Sequence, residues 1–424
     1  MRELWQWFEQ GRLREAWHAA SAWRGEPDAP ADLDLLLAGI AMAEGRPLQA
    51  IPLYQALAAI DSELRIPACM GWAMALCATG DDAGAMEVLE MLLAQAPLHF
   101  VARLRLAELL EKSGRHERAL AGYYAAVVYA QRQGRWLGED TTAPPLRPRV
   151  RHAMEYIDAG RKQLFLSLLD PLRAQYGREA LDRVEHGLKI YLGELPAQYA
   201  DALQRPTFFY VPGVPAEPYP ARALFPWLEE LEQATEAIRE EMLATRKDGQ
   251  DYAPFLGAPA DALPAGLLAG TGGAPAWDAY FFFRHGVRDE AHALACASTT
   301  AALERTPLVR IRGHAPEICF SVLAPGSHIL PHRGVTNTRL TVHLPLVVPG
   351  NCALRAGGVL HEWKEGQAMV FDDTFEHEAW NRGDSARVIL LMDTWNPHLQ
   401  PVEREAVTRL VEAIGDFNAS VPAS

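Results

Sequence analysis

Residues 339–348 read RLTVHLPLVV and residues 387–395 read RVILLMDTW. Both runs are rich in branched apolar residues, and each follows a turn-forming segment, PHRGVTN at 331–337 and NRGDSA at 381–386. Working outward, the same texture returns in AYFFF at 279–283, ICFSVL at 318–323 and AMVFDD at 368–373. Short runs of this kind, separated by Pro, Gly, Asn and Asp, predict the strands of a sandwich or jelly roll and not alternating βαβ units. The stretch before them, LGAPADALPAGLLAGTGGAPA at 256–276, is rich in Gly, Ala and Pro. It is expected to be a mobile loop that serves as a lid.

The N-terminal third is different. Gly11, Gly45, Gly80 and Gly114 recur at separations of 34, 35 and 34 residues, and five residues after each comes Ala16, Ala50, Ala85 or Ala119. The alanines lie in apolar helical stretches such as LQAIPLYQALAAI at 48–60 and HERALAGYYAAVVYA at 116–130. Glycine would relieve crowding where the first helix of a pair turns, and alanine would let the second pack close. This region resembles the tetratricopeptide repeat, whose stacked units expose a concave face for a peptide or protein partner. An Ala-rich helical bundle without a repeat is the alternative.

WLGEDTTAPPLRPRVRH at 136–152 holds helix-breaking prolines and reads as a junction. Amphipathic spacing over 156–195 predicts a helical connector ending before YVPGVPAEPYP at 210–220. The expected organisation is therefore α+β and multidomain: all-α repeats over 1–134, a connector over 135–200, and a β-rich domain over 201–424.

The chain has 424 residues, 49% of them hydrophobic and 22% charged, enough for two globular domains. Its net charge of −14 argues against a surface that neutralises nucleic-acid phosphates throughout. The sequence shows neither a signal-peptide core nor a run of about 18 apolar residues, so we expect no membrane partner and a cytoplasmic location. The five cysteines form no CxxC pair, which suggests neither a disulfide framework nor a zinc ribbon.

Candidate metal ligands are His332, in SHILPHRGVTN just before a predicted strand, and His377, in FDDTFEHEAWN at the end of another. In a jelly roll, strands distant in sequence lie side by side, so the two can meet. Imidazole suits Fe(II). Arg387 opens an apolar strand, where a guanidinium is costly to bury without a carboxylate.

PHRGVTNTRLTVHLPL, EWKEGQAMVFDDTFEHEAWN and RVILLMDTWNPHL, with Asn337, Trp363, Gly366, Asp372 and Asp373 among them, resemble the signature of the aspartyl/asparaginyl β-hydroxylase family over roughly residues 205–400. The resemblance implies a double-stranded β-helix fold and three reactants beside the substrate: Fe(II), the cosubstrate 2-oxoglutarate, and O₂. By that resemblance His332 and His377 bind the metal, and Arg387 with Ser321 hold the distal carboxylate of the cosubstrate. His343 contacts its nearer carboxylate, Trp277 and Thr341 border it, and Arg339 is a candidate for the charged group of a substrate. Thr341 stands where the family usually carries arginine. Gly334 stands where related oxygenases carry a carboxylate ligand, as in the resembled family. Asp372 and Asp373 are expected to shape a turn around the site, His328 and His361 to be solvated, and His285 is unassigned.

The implied activity is hydroxylation of an Asp or Asn side chain in a peptide or protein, with release of succinate and CO₂. Three alternatives stay open: a small-molecule or acyl-chain hydroxylase, a halogenase using the place of the missing carboxylate, or an interaction protein whose β-domain is inactive.

Overall fold

The computed structural model describes residues 1–24, 26–248, 251–257, 267–270 and 275–419. It divides into two compact units, Met1–Arg161 with Phe417–Ser424, and Lys162–Asp416.

In the first unit, four helix pairs follow one another: α1 (Arg2–Glu9) with α2 (Leu13–Trp23), α3 (Leu33–Ala43) with α4 (Pro47–Ala58), α5 (Arg65–Thr79) with α6 (Asp82–Gln95), and α7 (Phe100–Lys112) with α8 (His116–Arg132). The four periodic glycines sit in the turns inside the pairs, at φ of 74°, 72°, 86° and 77°. A Cβ added at any of them would meet nothing within 4 Å, so crowding is not the reason for glycine there. The reason is the left-handed turn itself: after α5, the N–H of Asp81 reaches back to the Leu76 carbonyl at 2.9 Å across Gly80. The periodic alanines, Ala16, Ala50, Ala85 and Ala119, are all fully buried, as close helix packing requires. The tetratricopeptide-like architecture is therefore present.

The second unit contains β1 (Ala253–Pro254), β2 (Leu268–Gly270), β3 (Trp277–Arg284), β4 (Val287–Arg288), β5 (Ile318–Leu323), β6 (Ser327–His332), β7 (Arg339–Val347), β8 (Cys352–Ala356), β9 (Val359–Glu362), β10 (Met369–Phe371), β11 (His377–Asn381) and β12 (Arg387–Trp395). They form a seven-stranded sheet in the order β1-β3-β5-β12-β7-β10, with β4 on β3, and a five-stranded sheet in the order β2-β6-β11-β8-β9. All pairings are antiparallel, as in a jelly roll.

Side-chain alternation sorts the larger sheet into two buried faces. Phe320, Val322, Leu340, Val342, Leu344, Val388, Leu390 and Met392 share one core with Leu228, Ile238, Met242 and Leu303 from neighbouring helices. The opposite face packs Leu323, Met369 and Phe371 against Ile329, Leu354, Ala356 and Ala379 of the smaller sheet. Both faces are covered, which is why these strands read as nearly unbroken apolar runs. Of the expected lid over 256–276, residues 258–266 and 271–274 lie outside the described residues; Leu268–Gly270 is the strand that pairs with β6.

The compact units divide at Arg161/Lys162, whereas the sequence places the boundary near 200. Residues 162–200 belong with the β-unit because they are tied to it: Arg183 donates to the Glu403 carboxylate at 2.6 and 2.9 Å and to the His398 carbonyl at 2.9 Å. The helix Asp182–Tyr191 also lies so close to the next segment that a Cβ at Gly187 would fall 2.5 Å from the Tyr210 carbonyl oxygen. Gly187→Ala is therefore expected to destabilise the protein by about 1–3 kcal/mol through overpacking, read as a lower denaturation midpoint. Among the described residues no helix is long and apolar enough to cross a membrane.

Candidate active site

His332 ends β6 and His377 begins β11, and the antiparallel register sets them directly opposite one another. Their rings lie 4.1 Å apart between centroids. Each Nδ1 faces the carbonyl two residues earlier, Leu330 at 2.8 Å and Phe375 at 3.0 Å. A carbonyl only accepts, so both Nδ1 atoms carry the proton and both Nε2 atoms keep a free lone pair. Burial, with the adjacent His332, pushes the pKa of His377 down to about 3, and burial also lowers that of His332. Two neutral imidazoles side by side can hold a divalent metal without first losing protons.

These histidines line a cavity of about 190 Å³ together with Trp277, Ser321, Arg339, Thr341, His343, and Arg387. The alternation of the larger sheet explains why: Arg387, Ile389, Leu391 and Asp393 on β12, and Thr341 and His343 on β7, project to the cavity side. Every residue named from the sequence as a metal, cosubstrate or substrate contact thus reaches one space.

Arg387 is only 1% exposed, yet its Nε and Nη2 have no hydrogen-bond partner among the described residues. Its guanidinium stacks on the Trp363 ring at 4.9 Å. Burial without a counterion lowers its pKa to about 10. The Nδ1 of His343 is likewise buried and unpartnered, and burial followed by the nearby Arg387 holds this imidazole neutral. Ser321 Oγ accepts a hydrogen bond from Trp277 Nε1 at 3.0 Å, leaving its own proton free to donate. Trp277 is itself fixed by Phe255, stacked on it at 4.0 Å. A fork of unpaired donors in a buried cavity fits a carboxylate ligand, and the histidine pair fits a metal beside it.

At the other end of the cavity, Arg339 is not free. It donates to the Asp393 carboxylate, and although burial opposes its charge, Asp393, Asp373 and Glu317 together raise its pKa. Asp393 and Glu317 were not singled out from the sequence. The alternation of RVILLMD does put Asp393 on the face of Arg387, so that signal was present.

The two aspartates of FDD divide their roles. Asp372 is a turn organiser, accepting from the Thr374 N–H at 2.9 Å and from Gln204 at 2.8 Å. Asp373 faces the site: a Cβ at Gly334 would lie 2.2–2.3 Å from its carboxyl group. That carboxyl fills the space a side chain at 334 would need. Burial raises its pKa to about 7 against the pull of Arg339. Among the described residues, no three His, Cys, Asp or Glu side chains cluster as a ready metal site. His328 Nε2 lies 2.7 Å from the Glu378 carboxylate, and His285 Nδ1 lies 2.8 Å from that of Glu317. His361 is stacked on Tyr219.

An antiparallel double sheet whose cavity brings two neutral imidazoles together with a buried guanidinium defines the class: a jelly-roll domain with a polar pocket between its sheets. Residues 232–397 match the family model for aspartyl/asparaginyl β-hydroxylase, and residues 41–100 match that for the tetratricopeptide repeat. The chain is 31% identical over 268 residues to a human protein named aspartyl/asparaginyl beta-hydroxylase, covering 61% of this chain and 33% of that one. It is 30% identical over 255 residues to aspartate beta-hydroxylase domain-containing protein 2 of Xenopus tropicalis, covering 58% and 65%. An ornithine lipid ester-linked acyl 2-hydroxylase of Rhizobium tropici is 33% identical over 182 residues, covering 42% and 60%. The chain thus spans between a third and two thirds of the length of these relatives.

Proposed function

We propose that the second unit is a Fe(II)- and 2-oxoglutarate-dependent hydroxylase acting on a side chain of a peptide or protein, Asp or Asn by family name, recruited by the repeats of the first unit. The observation that carries this is Arg387, a buried guanidinium with two unpaired donor nitrogens in the cavity of the two histidines. In this reading His332 and His377 hold Fe(II) through their Nε2 atoms. Arg387 and Ser321 grip the distal carboxylate of 2-oxoglutarate, and His343 lies beside the nearer one. Trp277 and Phe255 wall the cosubstrate off from water, and Thr341 borders it. When bound, the metal supplies the O₂ activation that couples decarboxylation of 2-oxoglutarate to succinate and CO₂ with insertion of one oxygen atom into a substrate C–H bond. The protein contributes position, holding cosubstrate and substrate within reach of the histidine pair.

A second reading has one observation in its favour. Between the polar ends, the cavity wall is apolar, built from Phe255, Ile389 and Leu391, and one relative is named for acyl hydroxylation. An acyl chain fits that wall.

The purified protein is expected to convert 2-oxoglutarate slowly to succinate without added substrate, and only with Fe(II). Adding protein and small-molecule fractions of a lysate separately, with product mass as the readout, assigns the substrate. A gain of one oxygen on Asp or Asn supports the peptide reading, and a response confined to the small-molecule fraction supports the acyl or small-molecule reading. Tight zinc with no turnover after iron loading would sink both, and chloride or bromide in the product would indicate halogenation.

A further inference from the structure

We propose that the substrate end of the cavity selects a group that donates hydrogen bonds and bears no negative charge, a carboxamide or an ammonium, and that Asp393 sets this preference by engaging Arg339. This rests on the hydroxylase reading above and narrows its substrate.

The argument starts from one strand. Arg387, Ile389, Leu391 and Asp393 line the cavity from the same face of β12. At roughly 3.4 Å per residue, the first and last of them lie about 20 Å apart. The cavity therefore runs from a cationic end to an acidic end along an apolar wall. Asp393 pairs in register with Thr341 on β7, and Arg339, two residues before Thr341, reaches the Asp393 carboxylate. The backbone N–H of Glu317 also donates to Asp393 at 2.8 Å. Three carboxylates, those of Glu317, Asp373 and Asp393, thus line the cavity around a single guanidinium.

A guest carboxylate entering here would have to displace Asp393, which is 3% exposed and fixed to the same sheet. It would also face Glu317, a like-charge contact that costs several-fold in affinity, and the Asp373 carboxyl, which adds to that cost as it ionises above about pH 7. Among the described lining residues the other guanidinium is that of Arg387, at the far end. Residues 255–276, which lead into Trp277 on the wall, contain no Lys, Arg or His. A donor group meets the opposite situation, because Asp373 Oδ1 is buried and has no partner among the described residues. Of the two side chains in the family name, the site thus takes asparagine over aspartate.

The test is calorimetric titration of the full chain, loaded with Mn(II) and 2-oxoglutarate, with N-acetyl-asparagine methylamide and N-acetyl-aspartate methylamide. The carboxamide is expected to bind at least about ten-fold tighter. Asp393→Asn frees Arg339 and should lower that ratio by about ten-fold. Glu317→Gln, which leaves the buried ion pair in place, should lower it by about three-fold and serves if the first variant does not fold. Equal or tighter binding of the carboxylate by the wild type overturns the proposal. So does binding of neither guest, or a ratio unchanged in the folded variants. A titration with 2-oxoglutarate comes first. If none binds, the hydroxylase reading fails by itself, and the guest ratio is then read on the metal-free chain with the same outcomes.

Discussion

Arg387→Met is expected to weaken cosubstrate binding sharply while making the ligand-free protein more stable. The loss should be about 2–5 kcal/mol in 2-oxoglutarate affinity, because a buried carboxylate would lose its charged partner. The gain follows from the burial of the guanidinium without a counterion, which lowers its pKa to about 10. That depression corresponds to a cost of roughly 3 kcal/mol to the fold. The sign is that of a base whose folded pKa is depressed: the penalty is present in full below about 10 and fades only as pH rises toward the unfolded value. Between pH 5 and 9 it is constant, so it shows as a higher unfolding midpoint of Arg387→Met and not as a pH profile. Methionine fills the channel beside Trp363 without a charge, which polar replacements would not do. Calorimetry with 2-oxoglutarate and denaturant titration of the ligand-free variant decide it. Equal losses of binding and stability would mean that Arg387 holds the fold together.

His332→Ala and His377→Ala are each expected to lower divalent-metal affinity by more than about 100-fold and to abolish iron-dependent succinate formation, since two imidazoles are the ligands in hand. Co(II) absorption reports the metal directly. Because the His377 imidazole titrates at about 3, metal uptake at pH 7 should release no proton from it. Calorimetry in buffers of different ionisation heat measures this. A proton released from each histidine would show that the ligand-free site is charged.

Much of this was readable before any fold was known. The glycine and alanine period marked the repeats because a left-handed turn and a zero-gap helix contact each tolerate few residue types. The histidine pair and Arg387 stood out as polar groups at the ends of strands whose neighbours are apolar. Less legible was the function of single acids. Asp372 and Asp373 are adjacent and identical, yet one bonds to Thr374 and Gln204 while the other points at Gly334. Only the direction of the turn separates them. Arg339 illustrates the same limit: its charge invited a substrate role, and its pairing with Asp393 depends on the register of β7 against β12.

By itself, the order of residues determined the elements: strand or helix, which face each side chain takes, and which few polar groups are too costly to bury without a partner. Local sterics and side-chain period carry that information over a handful of neighbours. The tertiary structure alone decided what meets what across long separations. It brought His332 opposite His377, put three carboxyl groups around Arg339 and, among the described residues, none in contact with Arg387, and tied residues 162–200 to the β-unit through Arg183 and Glu403. Charges compensate one another through distance in space, a quantity that antiparallel register sets and that position along the chain does not carry.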